Sequence, residues 1–321
     1  MKIVVVYSTC GIARSGNAPK YIESVWTVLA QRGVDFRVII SSCRNTEVDR
    51  SALISEFKGC PVSFNWIDDT LPVNITFNHS CLKAVELFGE PNAFLYMDSG
   101  VSLPHDHCLA PLCDLHLSGH YAMTAGRVST DSGTFLWFNR GAHPKDETGQ
   151  ADLYRDGDLL IPVGKTVNLH LQLFDSSIFR AYDNRIIPDI FASFCTESVF
   201  SFLCAAVRRR FVVSSRVVVD HRLDVDWRSA GFEPGAQPLP FWQHLLPQSP
   251  RPMTDIIADP EARACGFGYE ECQAVLLHDP TCYAANGDCL DPDRLLRFLK
   301  ANLYLPPDRF DYGTINHRFI P

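Results

Sequence analysis

A chain of 321 residues with 46% apolar content, mean hydropathy −0.03 and a formal net charge of −8 is long and apolar enough to bury a sizeable core, which excludes global disorder. The acidity excludes wholesale affinity for polyanions and leaves Arg208–Arg210 as the basic run available for a local phosphate contact. The apolar runs, such as FVVSSRVVV at 211–219, fall well short of the about 20 residues needed to cross a bilayer, and KIVVVYS follows Met1 without a secretory pattern, so the expectation is a cytoplasmic protein with no membrane contact.

Twelve cysteines would suggest disulfides in an exported protein, but in the expected reducing setting they read as thiols among apolar neighbours. Cys265, Cys272, Cys282 and Cys289 stand apart in a six-nine-six spacing. That spacing lacks the tight CxxC knuckles of ordinary zinc sites, so plain thiols are the first reading and structural zinc the alternative.

Residues 1–100 alternate β-branched apolar runs with amphipathic segments, the pattern of strand and helix units on a parallel sheet. Strands are expected at 2–8, 35–43, 61–67 and 93–97. A first helix at 19–33 sets Ile22, Val25, Trp26 and Leu29 at helical spacing with Gly33 as its stop, and a second covers about 47–58. A third at 76–88 gathers Phe77, Cys81, Ala84, Val85 and Phe88 on one face, with Thr76 as its cap and Gly89 at its end. From 121 to 182 the period shifts toward two in YAMTAGRV, GTFLWFN and TVNLHLQLF, which favours antiparallel strands. Helix returns at 196–209 behind a Thr196 cap, the strand 211–219 follows, and a last helix is expected at 291–301. The fold class expected is α/β, a mostly parallel sheet flanked by helices, with a mixed antiparallel region and a C-terminal extension.

Four segments carry residues suited to chemistry. AFLYMDSGVSL at 93–103 delivers Asp98 to the carboxyl edge of the sheet, where open α/β sheets bind ligands, although Asp-Ser-Gly is also good turn chemistry. TFNHSCLKAVELFGE at 76–90 puts Asn78 and His79 at the start of the helix feeding that strand, as ligand contacts or as plain first-turn polar residues. Glu197 in FCTES opens a helix, whose positive end keeps a carboxylate ionised as a general base must be; serving only the helix is the alternative. In VVVDH a β run ends at His221, either a metal ligand or a surface residue.

Taken in order, TFNHSCLKAVELFGEPNAFLYMDSG, FCTES and VVVDH resemble the landmarks of GT-A glycosyltransferases, the family-2-like group in particular, over roughly residues 1–225. The resemblance implies a Rossmann-like donor-binding and catalytic domain at 1–225 and an acceptor-side or packing extension at 226–321. It implies a nucleotide-sugar donor, UDP-sugar first, contacted by Tyr7, Ser8, Thr9, Asp68, Asn78, Asp98, Ser99 and Gly100. It also implies a divalent metal, Mn²⁺ or Mg²⁺, held by Asp98 and His221, and Glu197 as general base for inverting transfer to an acceptor hydroxyl. The second acid of the DxD-type motif is Gly100 here, so Asp106 in LPHDH is the residue expected to compensate, or else Arg208–Arg210 hold the phosphates without metal.

Two other readings stay open. A nucleotidyltransferase would use the loop STCGIARSGNAPK at 8–20, with Arg14 and Lys20, to hold a triphosphate. A catalytically inactive sugar-nucleotide or glycan-binding module would accommodate the acid missing at Gly100. The acceptor side, with Trp227, Phe241 and Trp242, suits either a glycan or a hydroxymethylated base in DNA.

Overall fold

The computed structural model describes residues 1–10, 18–43, 45–68, 71, 73–98, 100–130, 133–135, 157–161, 163, 170–189, 199–221, 255–256, 258–265, 267, 291–305 and 317–321. In chain order the first elements are β1 (Lys2–Cys10), α1 (Ala18–Leu29), β2 (Asp35–Cys43), α2 (Glu47–Glu56), β3 (Val62–Ile67), α3 (Val73–Phe88) and β4 (Ala93–Met97). Then come β5 (Val101–Ser102), α4 (Leu109–Ser118), β6 (Met123–Thr130), β7 (Gly133–Phe135), β8 (Leu159–Ile161), β9 (Leu171–Asp175) and α5 (Ser176–Ala181). The last are α6 (Phe200–Ala206), β10 (Phe211–His221), α7 (Pro260–Ala264), α8 (Pro292–Leu303) and β11 (His317–Ile320).

The eleven strands among the described residues make one sheet in the order β11-β3-β2-β1-β4-β9-β6-β10-β5, with β7 on β6 and β8 on β10. β3, β2, β1 and β4 run parallel, β9 is antiparallel to both β4 and β6, and β10 is parallel to β6. This is the mixed α/β sheet that the alternation of the first hundred residues and the period of two after 121 call for.

The pleat divides β1 between two cores. Ile3, Val5 and Tyr7 pack on one face with Tyr21, Val25 and Val28 of α1, while Val4 and Val6 pack on the other with Phe77, Cys81 and Ala84 of α3. On α1 the stripe that faces the sheet is thus rotated from the expected one: Tyr21, Val25 and Val28 are buried, and Trp26 is exposed with its Nε1 donating to Glu56 at 2.8 Å. α3 starts a turn before Thr76, which is buried inside the helix instead of capping it, and Gly89 ends it at φ +70°.

Side-chain caps start three more helices. Thr46 and Asp49 form a reciprocal capping box on α2, Asp175 accepts from the Ser177 amide at 2.8 Å to start α5, and Asp291 accepts from the Arg294 amide at 2.9 Å ahead of Pro292 in α8. No helix among the described residues is long and apolar enough to cross a membrane.

Phe77 sits in the middle of the α3 face, its ring 5.4 Å from Tyr96 and 5.8 Å from Phe174. Phe77→Ala should lower the unfolding free energy by about 3–5 kcal/mol, whereas Val48→Ala, at a position 78% exposed, should change it by less than about 0.5 kcal/mol. Urea denaturation of the two variants checks the contrast.

Candidate active site

Strand direction decides what meets at the carboxyl edge. β4 and β10 run the same way through β9 and β6, so Asp98, just after β4, and His221, the last residue of β10, reach the same edge. β9 runs the other way, so the residue before it, His170, stands at that edge too. The β4–β9 register pairs Met97 with Leu171, which sets His170 opposite Asp98, and the Asp98 amide donates to the His170 carbonyl at 2.9 Å. His221 is fixed by its pairing with Val101 of β5.

The three side chains converge. Asp98 Oδ2 lies 3.5 Å from His170 Nδ1 and 3.5 Å from His221 Nε2, and the two imidazole rings stand 4.4 Å apart. Asp98 is 20% exposed, His170 15% and His221 11%, so the cluster is sheltered but opens to solvent. Burial pushes the Asp98 carboxyl upward, yet His170 and His221 beside it more than offset this and hold it well below the usual carboxylate range. One carboxylate oxygen and two ring nitrogens, all within 4.8 Å of one another, form a donor set that fits a divalent metal.

Asp106 is not part of this set. It is 41% exposed in the loop after β5 and pairs with Arg32 at 3.2 Å, and His170, the residue before β9, completes the set in its place. His170 escaped notice because one histidine within TVNLHLQLF looks like an ordinary strand residue. The usable signal was its position at the head of an antiparallel strand that pairs with the strand carrying Asp98.

The other expected donor contacts divide. Asp68 follows β3 and is held by the buried Arg50, whose Nη2 donates to Asp68 Oδ1 at 2.7 Å while its guanidinium lies 5.9 Å from the Trp66 ring centre. Ser8 is buried opposite the end of β4, and its hydroxyl has no partner among the described residues. Tyr7 points into the core, its hydroxyl 3.3 Å from Ser24 Oγ and 3.2 Å from Met97 Sδ, so its side chain is a packing element and not a ligand contact. Thr9 lies at the end of β1 and Gly100 in the turn between β4 and β5, while Ser99 and Glu197 lie outside the described residues. Of the four spaced cysteines, Cys265 is buried, its thiol donating to the Ala262 carbonyl at 3.3 Å, and Cys272, Cys282 and Cys289 lie outside the described residues.

Asn78 has a different task from the one its position suggested. Fully buried, it accepts from the Ile186 and Ile187 amides at 2.9 and 3.1 Å and donates to the Ile187 carbonyl at 2.7 Å. One turn earlier Asn74 donates to the Pro188 carbonyl at 2.9 Å. On the other side of the same segment, Arg185 donates to Asp189 and to the Leu305 carbonyl, and the Tyr304 hydroxyl donates to the Ile186 carbonyl at 2.9 Å. The two asparagines thus clasp the chain that runs toward Glu197 against the first two turns of α3.

The arginine run has no access to this edge. Arg208–Arg210 precede β10, which ends at His221 about 33 Å further on at strand rise. Arg208 pairs with Asp293, and Arg209 with Asp175, the His120 and Tyr121 carbonyls and Ser177. Metal-free phosphate binding by these side chains at the Asp98 site is ruled out by that distance.

Two outcomes are expected. Asn78→Ala leaves two buried amides without acceptors and should cost at least about 2 kcal/mol in urea unfolding. Since the folded Asp98 carboxyl titrates below its unfolded value of about 3.9, its stabilisation is complete above that value and fades as pH falls through the lower folded one. The stability gap between wild type and Asp98→Asn, measured with chelator present, should therefore shrink as pH falls below about 4.

No family model and no curated protein sequence matches this chain. Solved structures do. The mannosyltransferase PcManGT of Pyrobaculum calidifontis, in complex with GDP-Man and Mn²⁺, superposes with a TM-score of 0.53 at 14% identity over 93% of this chain and 74% of that one. TarS of S. aureus, residues 1–349 with UDP-GlcNAc, gives 0.52 at 12% identity over 76% of this chain and 64% of that one. A longer TarS structure gives 0.51 at 14% identity over 70% of this chain, which spans only 37% of its length. The chain thus has a GT-A-like, Rossmann-type glycosyltransferase fold.

Proposed function

We propose that this protein transfers a sugar from a nucleoside-diphosphate sugar to an acceptor hydroxyl. One observation carries the reading: Asp98, His170 and His221 converge at the carboxyl edge of a sheet whose solved counterparts hold UDP-GlcNAc or GDP-Man. A UDP-sugar is the donor proposed first and a GDP-sugar the second. The acceptor proposed first is a glycan, and a hydroxymethylated base in DNA comes second because the net charge of −8 opposes a polyanion. We further propose that residues 1–225 bind the donor and catalyse, that 226–321 serve the acceptor side, and that the reaction is cytoplasmic.

In this mechanism Asp68, steadied by Arg50, accepts from ribose hydroxyls or a base N–H, with Ser8, Thr9, Ser99 and Gly100 lining the nucleotide. Asp98 stays ionised at neutral pH, and its two imidazole neighbours fix its orientation. When bound there, Mn²⁺ or Mg²⁺ supplies Lewis-acid neutralisation of the departing diphosphate. Glu197, three residues ahead of α6, takes the proton of the acceptor hydroxyl as that oxygen bonds to the anomeric carbon. The bond from that carbon to the diphosphate breaks in the same displacement, the nucleoside diphosphate leaves with the electron pair, and configuration inverts.

Incubation with UDP-GlcNAc, UDP-glucose or GDP-mannose plus glycan or hydroxymethylcytosine DNA should release the nucleoside diphosphate and label one acceptor. Glu197→Gln should cut turnover by about 10²–10⁴ and leave donor affinity intact, while Asp98→Ala should weaken donor binding itself. Pyrophosphate release from a nucleoside triphosphate, with none of these products, would instead mark a nucleotidyltransferase.

A further inference from the structure

We infer that Asp98, His170 and His221 form a preformed metal site, loaded before any nucleotide arrives, that selects a transition-series divalent ion over Mg²⁺. The geometry separates this from a hydrogen-bonded triad. Both imidazoles approach the same oxygen, Asp98 Oδ2, and both stop at 3.5 Å, beyond the about 2.7–3.2 Å of a good hydrogen bond. With metal–ligand bonds of about 2.1 Å, atoms around one tetrahedral ion lie about 3.4 Å apart, which is the spacing seen here. His170 Nδ1, the ring nitrogen facing that oxygen, has no hydrogen-bond partner among the described residues.

The scaffold is rigid enough to hold such a set without ligand. Asp98 is tied through its amide to His170, His221 closes a strand paired with β5, and all three follow from ladder register instead of from a loop. A site completed by protein side chains needs no diphosphate to exist. The solvent opening beside it leaves coordination positions for one.

Donor chemistry sets the selectivity. Two nitrogens and one oxygen favour ions that accept imidazole, in the order Co²⁺ and Zn²⁺ above Mn²⁺, whereas Mg²⁺ takes oxygen ligands and keeps its waters. Gly100 offers no acid, and His170, the residue before β9, offers a nitrogen ligand from the neighbouring strand. This inference deepens the proposed transfer reaction by naming its ion, and rests on that reading only for what the ion does.

The test is equilibrium dialysis and visible spectroscopy of the chelator-treated full chain with Co²⁺, Zn²⁺, Mn²⁺ or Mg²⁺ and no nucleotide. One equivalent of Co²⁺ should bind with d–d absorption, at least about tenfold more tightly than Mg²⁺, and raise the melting temperature. His170→Ala should abolish the absorption, and His170→Asp should restore binding while shifting preference toward Mg²⁺ and Mn²⁺. Uptake only with nucleotide present, equal affinity for Co²⁺ and Mg²⁺, or Co²⁺ binding unchanged in His170→Ala would overturn the inference. Product formation with Mg²⁺ alone would overturn the ion selectivity and leave sugar transfer standing; metal uptake without any transfer would do the converse.

Discussion

Three strands put one carboxylate between two imidazoles, and the rest of the site depends on that placement. β4 and β10 end at the same edge because β9 and β6 between them reverse direction twice, and β9 begins there for the same reason. An aspartate after one strand, a histidine before the next and a histidine closing a third thus meet although 72 and 51 residues separate them in the chain. Each stands in a strand of the sheet or one residue from one, so strand register places it. Two imidazoles facing a partly buried carboxylate keep it ionised, which is the condition for holding a cation at neutral pH.

The packing behind that edge serves the same end. α3 buries Phe77, Cys81 and Ala84 against β1 and β4 and turns its polar first turns toward the backbone of 186–189. That segment is gripped from the other side by Arg185, Asp189 and Tyr304, so the end of α8 and the start of α3 close on it together. β11 adds an antiparallel strand to β3, and Arg318 on it reaches Glu47 at 2.8 Å. β11 and the end of α8 therefore brace the β1–β4 half of the sheet. At the opposite edge, Arg209, Asp175, His116 and Thr124 make a second, partly buried polar network that links β6, β9 and α4 and holds Asp175 ionised.

Much of this was legible in the sequence. Period-two and β-branched runs marked β1 to β4 and β10 because those strands are buried on both faces or alternate cleanly, and the face of α3 followed from helical spacing. Asp98 and His221 were visible because each ends an apolar run, where a polar residue must stand at a sheet edge. His170 was not, because its importance lies in the register of β9 against β4, a long-range fact with no local trace. α4 begins without a side-chain cap and carries Pro111 in its first turn, so its start signal is weak, and β11 is a strand only because β3 offers it an edge. Tyr7 and Asn78 were read as donor contacts from the family resemblance; which way each side chain turns is decided by what packs around it.

The central claim is that the Asp98 cluster, a divalent ion and a nucleoside diphosphate share one place. Anomalous diffraction from crystals grown with Mn²⁺ and UDP tests it directly. The account predicts one strong peak about 2.1 Å from Asp98 Oδ2, His170 Nδ1 and His221 Nε2, with diphosphate oxygens completing the ion's shell. A diphosphate bound elsewhere, or a peak away from these three atoms, would contradict it.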